Sequence, residues 1–204
     1  MFRVLVTGFE PFNNAKLNPS EELVRSLKQD DVAGAQIITA VLPVVYTKAA
    51  EHLLALIEEH QPDAVISFGQ AEGRKAITPE RFAVNLDDAS ISDNSGSIRI
   101  DRIIQPEGET AYSSTLPVKE LVASIKATGV TAAISLTAGT FVCNHIFYEM
   151  QHALRGKSVL SGFVHVPLMT EQENDFPGLF TMEIEQMVLA AKAIIALLVA
   201  HAEN

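Results

Sequence analysis

The 204 residues are 48% hydrophobic and 20% charged, which suits one packed globular domain spanning 1–204 and excludes a disordered chain. A formal net charge of −10 opposes binding to nucleic-acid phosphates or to anionic membranes. The single cysteine excludes an intrachain disulfide, and one thiol with scattered histidines makes no zinc pattern, so a reduced, cytoplasmic compartment and no metal are expected.

The opening "FRVLVT" (2–7) is a short β-rich run closed by Gly8, too brief for a signal peptide. Gly8 stands alone, without the further glycines of a nucleotide-binding loop. "SEELVRSLK" (20–28) starts as a helix at Ser20, and "QIITAVLPV" (36–44) is a second strand. Thr47 is expected to cap "KAAEHLLALIEEH", in which Ala49, Leu53, Leu54 and Ile57 follow helical spacing. Strands are expected at 63–69 and 81–86, then a long polar loop over 87–110. Pro117 opens a helix through "VKELVASIKA". A strand (131–137), a helix (144–154), a strand (159–168) and a last helix (181–202) follow. That helix contains "MVLAAKAIIALLVA", shorter than the roughly 18 residues of a bilayer span and interrupted by Lys192, so it reads as buried or subunit-facing. This alternation predicts an α/β chain: a mixed, largely parallel sheet with helices on both faces.

Sites in such folds lie at the carboxyl ends of the strands. Phe9 and Phe12 follow the first strand, either folded onto the core or forming an apolar wall for a small ligand. Cys143, in "TAGTFVCNH", falls about one residue before a helix, where N–H groups and the helix dipole favour a thiolate and can hold an oxyanion. A thiolate nucleophile needs a base. His52 and His60 lie on a helix expected to be solvated, His201 in the tail, and His152 about two turns beyond Cys143. His145 is two residues from Cys143 and cannot face it on a helix. His165, at the end of "GFVHV", is the better partner. Glu10, Asp63, Glu80, Asp87 and Asp88 are carboxylates near strand ends, Asp87 and Asp88 being typical turn residues; spacing does not choose among the five.

Three segments do choose. "VLVTGFEPFNNAKLNPSEELV", "GQAEGRKAITPERFAVNLDDASISDN" and "AISLTAGTFVCNHIFY" resemble, in order and spacing, the pyroglutamyl-peptidase I family of cysteine peptidases, and "GFVHVPL" resembles its histidine motif. The resemblance covers essentially the whole chain. It implies a three-layer α/β/α sandwich similar to the purine-phosphorylase fold, no cofactor, a cytoplasmic location and a homotetramer. It places the catalytic Glu, Cys and His on Glu80, Cys143 and His165. It places substrate contacts on Phe9, Phe12, Gln70, Ile91, Phe141 and Val142, and makes peptides with N-terminal pyroglutamate the substrates. Two positions depart from the family pattern: Ser90 stands where an arginine is usual, and Glu72 where Gly is frequent. Another thiol amidase on the same scaffold, or a non-catalytic binder of a small neutral ring, remains an alternative.

Overall fold

The computed structural model describes residues 1–28 and 31–203. In chain order these contain β1 (Phe2–Phe9), α1 (Pro19–Leu27), β2 (Ala35–Leu42), α2 (Tyr46–His60) and β3 (Ala64–Gln70). The short strands β4 (Thr78–Pro79), β5 (Phe82–Val84) and β6 (Ala111–Ser113) follow, then α3 (Val118–Ala127) and α4 (Val142–Leu154). The chain ends with β7 (Leu160–Val166), β8 (Leu168–Met169), a 3-10 turn (Thr170–Gln172), β9 (Thr181–Met182) and α5 (Ile184–Ala202).

The main sheet has the order β2-β1-β3-β7-β4, parallel except for β4. Side chains along a strand alternate faces, and here both faces are covered. Val4, Val6, Ala64, Ile66, Phe68, Val164 and Val166 pack on one side with α1, α3 and α5. Leu5, Val65 and Phe163 pack on the other side with α2 and α4. The result is the expected three-layer α/β/α arrangement, in which the four parallel strands end at one edge and antiparallel β4 starts beside the end of β7.

Several local expectations are corrected. Asn18, not Ser20, caps α1: its Oδ1 accepts from Ser20 N at 3.0 Å, and Pro19 occupies the first turn. Ser20 Oγ instead accepts from Phe9 N at 3.0 Å, tying the helix to the end of β1. Gly8 serves packing rather than phosphate binding, since a Cβ there would lie 2.1 Å from the Ser20 carbonyl oxygen. Thr47 lies inside α2, whose N-terminal Tyr46 N–H donates to Asp93 Oδ2 (3.2 Å) from the long loop. The 81–86 run yields only the three-residue β5.

Residues 131–137 form no continuous strand. They run parallel to 77–81, with Ile77 N donating to Thr131 O, Ala133 N to Ile77 O, Ser135 N to Pro79 O and Arg81 N to Ser135 O. The rung between Ala133 and Ser135 would need an N–H at position 79, and proline has none. Only isolated bridges remain, Ile77 with Ala132 and Glu80 with Ser135.

By length and a hydropathy of 1.7, α5 alone among the described residues qualifies as a candidate bilayer span. Its fully buried residues Met187, Ala191, Ile194, Ile195 and Leu198 recur at three- and four-residue steps and pack into the first core, so it reads as a core helix. Ile194→Ala should therefore cost about 2–5 kcal/mol. Leu189→Ala, at a position 44% exposed on the same helix, should stay within about 0.5 kcal/mol. Urea unfolding of the two variants measures the difference; equal small effects would contradict the packed role of α5.

Candidate active site

The parallel register of β3 and β7 sets Gly69 opposite His165, and antiparallel β4 sets Thr78 on the other side of that histidine. Glu80 leaves β4 with its N–H on Phe163 O (2.8 Å) and its side chain fully buried. His165 Nδ1 meets Glu80 Oε1 at 2.7 Å, and the imidazole packs against Phe163 with ring centroids 4.9 Å apart. Burial pushes the His165 pKa below its ordinary value, the Glu80 hydrogen bond and charge only partly opposing it.

Cys143 sits in the first turn of α4, second after Val142, rather than before the helix. Its thiol lies against Gly69: a Cβ there would stand 2.9 Å from Sγ and 2.7 Å from the Phe163 ring, so only glycine leaves the sulfur its space. Burial, reinforced by the negative charge of Glu80, pushes the thiol up to about 12 despite the helix terminus. This acts against the thiolate that the helix terminus by itself would favour. No side chain caps α4 at Phe141, so its first N–H groups remain for an incoming oxygen.

Cys143 and His165 line one cavity of about 270 Å³ with Phe9, Phe12, Gln70, Phe141 and Val142. Phe9 belongs to both readings of the sequence, being 2% exposed in the core and also part of the wall. Phe12 and Phe141 lie 6.0 Å apart, and Tyr46 meets Phe141 edge-on at 5.4 Å. Ile91 is not among the residues that line this cavity; it is 39% exposed on the long loop. Ser90 beside it is also exposed.

Arg74 is the residue that sequence reading passed over. It lines the cavity, places Nη1 2.8 Å from Glu80 Oε1, and donates through Nη2 to Thr137 O at 3.0 Å. One guanidinium thereby joins the buried carboxylate to the turn that precedes Cys143. Its sequence signal was only a position inside the quoted "AEGRKAITPE" block. Among the described residues that line the cavity none is acidic, and the nearby Glu80 carboxylate is already engaged by Arg74 and His165.

The rival carboxylates are engaged elsewhere. Glu10 accepts from Val44 N and Asn94 Nδ2, and Asp63 from Arg3 N. Asp88 accepts from Asp101 N. Asp87, expected in a turn, is fully buried and pairs with Arg99 (2.7 Å) and His145 Nδ1 (2.9 Å). His145 points to that cluster and not to the cavity, as its two-residue offset requires. His152 pairs with Tyr112 OH and His201 with Glu120.

Known proteins are similar over the whole length. A model of the pyroglutamyl peptidase family matches residues 2–201. A pyrrolidone-carboxylate peptidase of Aliivibrio fischeri is 48% identical over 96% of this chain and 93% of its own, and one of Cupriavidus pinatubonensis is 46% identical over 96% and 92%. The crystal structure of Bacillus amyloliquefaciens pyroglutamyl peptidase I superposes with a TM-score of 0.94 at 38% identity, covering 98% of both chains. A mutant pyrrolidone carboxyl peptidase from Pyrococcus furiosus gives 0.92 at 41%, covering 98% and 99%. With a thiol, an imidazole and a neutral aromatic wall in one cavity, and relatives matched from end to end, this chain belongs to the pyroglutamyl peptidase family of cysteine peptidases.

Proposed function

We propose that this chain hydrolyses the amide bond after an N-terminal L-pyroglutamyl residue, with Cys143 as nucleophile, His165 as acid and base, and Glu80 as the group that orients His165. The carrying observation is the composition of the cavity: a thiol and an imidazole beside aromatic rings, one cation and no carboxylate. An ordinary N-terminal ammonium would be desolvated there next to Arg74 without compensation. A lactam nitrogen carries no charge, and a flat neutral ring packs on Phe9, Phe12 and Phe141.

The electrostatics favour a neutral resting pair. Burial raises the thiol and lowers the imidazole, so a protonated Cys143 and an uncharged His165 share the cavity. Glu80 engages Nδ1, which leaves Nε2 to take the thiol proton as Sγ attacks the carbonyl carbon. The carbonyl oxygen becomes an oxyanion held by N–H groups at the start of α4. Nε2 then passes its proton to the leaving amine, giving a pyroglutamyl thioester and a shortened peptide. Water, deprotonated by Nε2, attacks the thioester; pyroglutamate leaves and the thiol is restored.

Self-association is part of the proposal. The long loop exposes Ile98 (54%), Ile100 (60%) and Ile103 (59%), and the interrupted edge exposes Leu136 (64%). These support the homotetramer that the family resemblance implies.

Three measurements follow from this reading. Wild type should release coumarin from pyroglutamyl-aminomethylcoumarin, and Cys143→Ala should lose at least about 10³-fold in kcat/KM. Equal cleavage of the prolyl or glutamyl compound would favour another amidase, and unchanged ligand retention without turnover a binder. The acid limb of kcat/KM should have its midpoint below 6.5, because His165 must be neutral and burial lowers its pKa. Arg74 lowers that pKa further, so Arg74→Met should move the limb to higher pH and reduce kcat/KM roughly tenfold. An unmoved limb would uncouple Arg74 from the imidazole. Sedimentation at micromolar concentration should show an oligomer; a monomer alone would refute the assembly.

A further inference from the structure

Gln70 and Gln172 come from the end of β3 and from the 3-10 turn, 102 residues apart, and their amides meet edge to edge. An amide presents a carbonyl oxygen on one side and an NH₂ on the other, and the direction matters to any ligand. Here two backbone groups of unalterable polarity settle it. Met169 N–H can only donate, and Gln172 Oε1 accepts it at 3.1 Å. Leu17 C=O can only accept, and Gln172 Nε2 donates to it at 3.3 Å. The second N–H of Gln172 then donates to Gln70 at 3.0 Å, and Gln70 has to answer with Oε1. Gln172 is 1% exposed, so water does not compete for these bonds. The part of the Gln70 amide left for the cavity is its NH₂.

We propose that Gln172 is a specificity-determining positioning residue: it locks Gln70 as a hydrogen-bond donor, so that the cavity recognises the ring carbonyl of the substrate. The inference rests on the pyroglutamyl reading and deepens it. Without the lock, Gln70 is free to turn an acceptor toward a group that is itself an acceptor, a mismatch in a desolvated place.

Gln172→Glu is nearly isosteric and tests the lock. A carboxylate still accepts from Met169 N–H, but its second oxygen faces the acceptors Leu17 O and Gln70 Oε1. Gln70 turns its NH₂ toward the carboxylate and its oxygen toward the cavity. KM for pyroglutamyl-aminomethylcoumarin should rise roughly 10- to 100-fold, with kcat changed by less than about threefold. Gln172→Met, which removes the relay without reversing it, should give a smaller rise. The decisive comparison is a cycle with Gln70→Ala. In that background Gln172→Glu should add less than about twofold, since there is no amide left to turn. The same rise in both backgrounds, or a loss confined to kcat, would overturn the relay and leave Gln172 a scaffold residue. Should Gln172→Glu not fold, Gln172→Met carries the same cycle. A wild-type chain that cleaves no pyroglutamyl substrate would fail the reading beneath the proposal, and that result is distinct from the outcome of the cycle.

Discussion

A single buried oxygen atom organises the cavity side of this molecule. Glu80 Oε1 faces both His165 Nδ1 at 2.7 Å and Arg74 Nη1 at 2.8 Å, inside a side chain with no solvent exposure. A carboxylate in such a place is tolerated only when paired, and removing one partner of a buried pair costs about 3–5 kcal/mol. Among the described residues the other oxygen, Oε2, is buried with no hydrogen-bond partner. Because Arg74 also holds Thr137 O, the arrangement of the carboxylate and that of the turn before Cys143 are one problem with one solution. The sheet supplies the rest: β7 runs between β3 and β4, so Gly69 and Thr78 flank the imidazole.

A second ionic cluster braces the opposite side. Asp87, Arg99 and His145 are joined within 2.9 Å, the guanidinium lies 4.3 Å over the Tyr46 ring, and Tyr46 meets both His145 and Phe141 edge-on. This fastens the 87–110 loop to the start of α2 and α4 and stiffens the wall to which Phe141 belongs. Asp93 of the same loop caps α2 through Tyr46 N–H. Burial alone would raise its carboxyl; hydrogen bonds from Ser95, Ser97 and Tyr46 outweigh that and hold it low. Charge and hydrogen bonds thus hold this loop together with Ile104, which packs against the second core, while Ile98, Ile100 and Ile103 stay exposed.

Much of the fold was legible in the sequence because strand and helix periodicities are local. Val4–Leu5–Val6 announce a strand covered on both faces, and the three- and four-residue steps of α5 announce a buried stripe. The missed details were those set by partners distant in sequence. Thr47 looked like a cap, but Asp93 reaches in from the long loop. The run 131–137 looked like a strand, but its neighbour carries a proline where a donor was needed. Asp87 looked like a turn residue until Arg99 and His145 closed around it.

At the site, residue type and position on the chain determined that Cys143, His165 and the phenylalanines were candidates, and resemblance singled out Glu80. Sequence order fixed that His145 could not face Cys143, since helical geometry acts within one turn. Only the tertiary structure decided that Ile91 stands exposed on the long loop, that Arg74 stands on Glu80, and that the surroundings of Cys143 push its thiol up. It alone decided the direction in which Gln70 faces, through Gln172. Each of these depends on what segments tens of residues apart place within a few ångströms. Desolvation and ion pairing are properties of that enclosure, not of any stretch of chain.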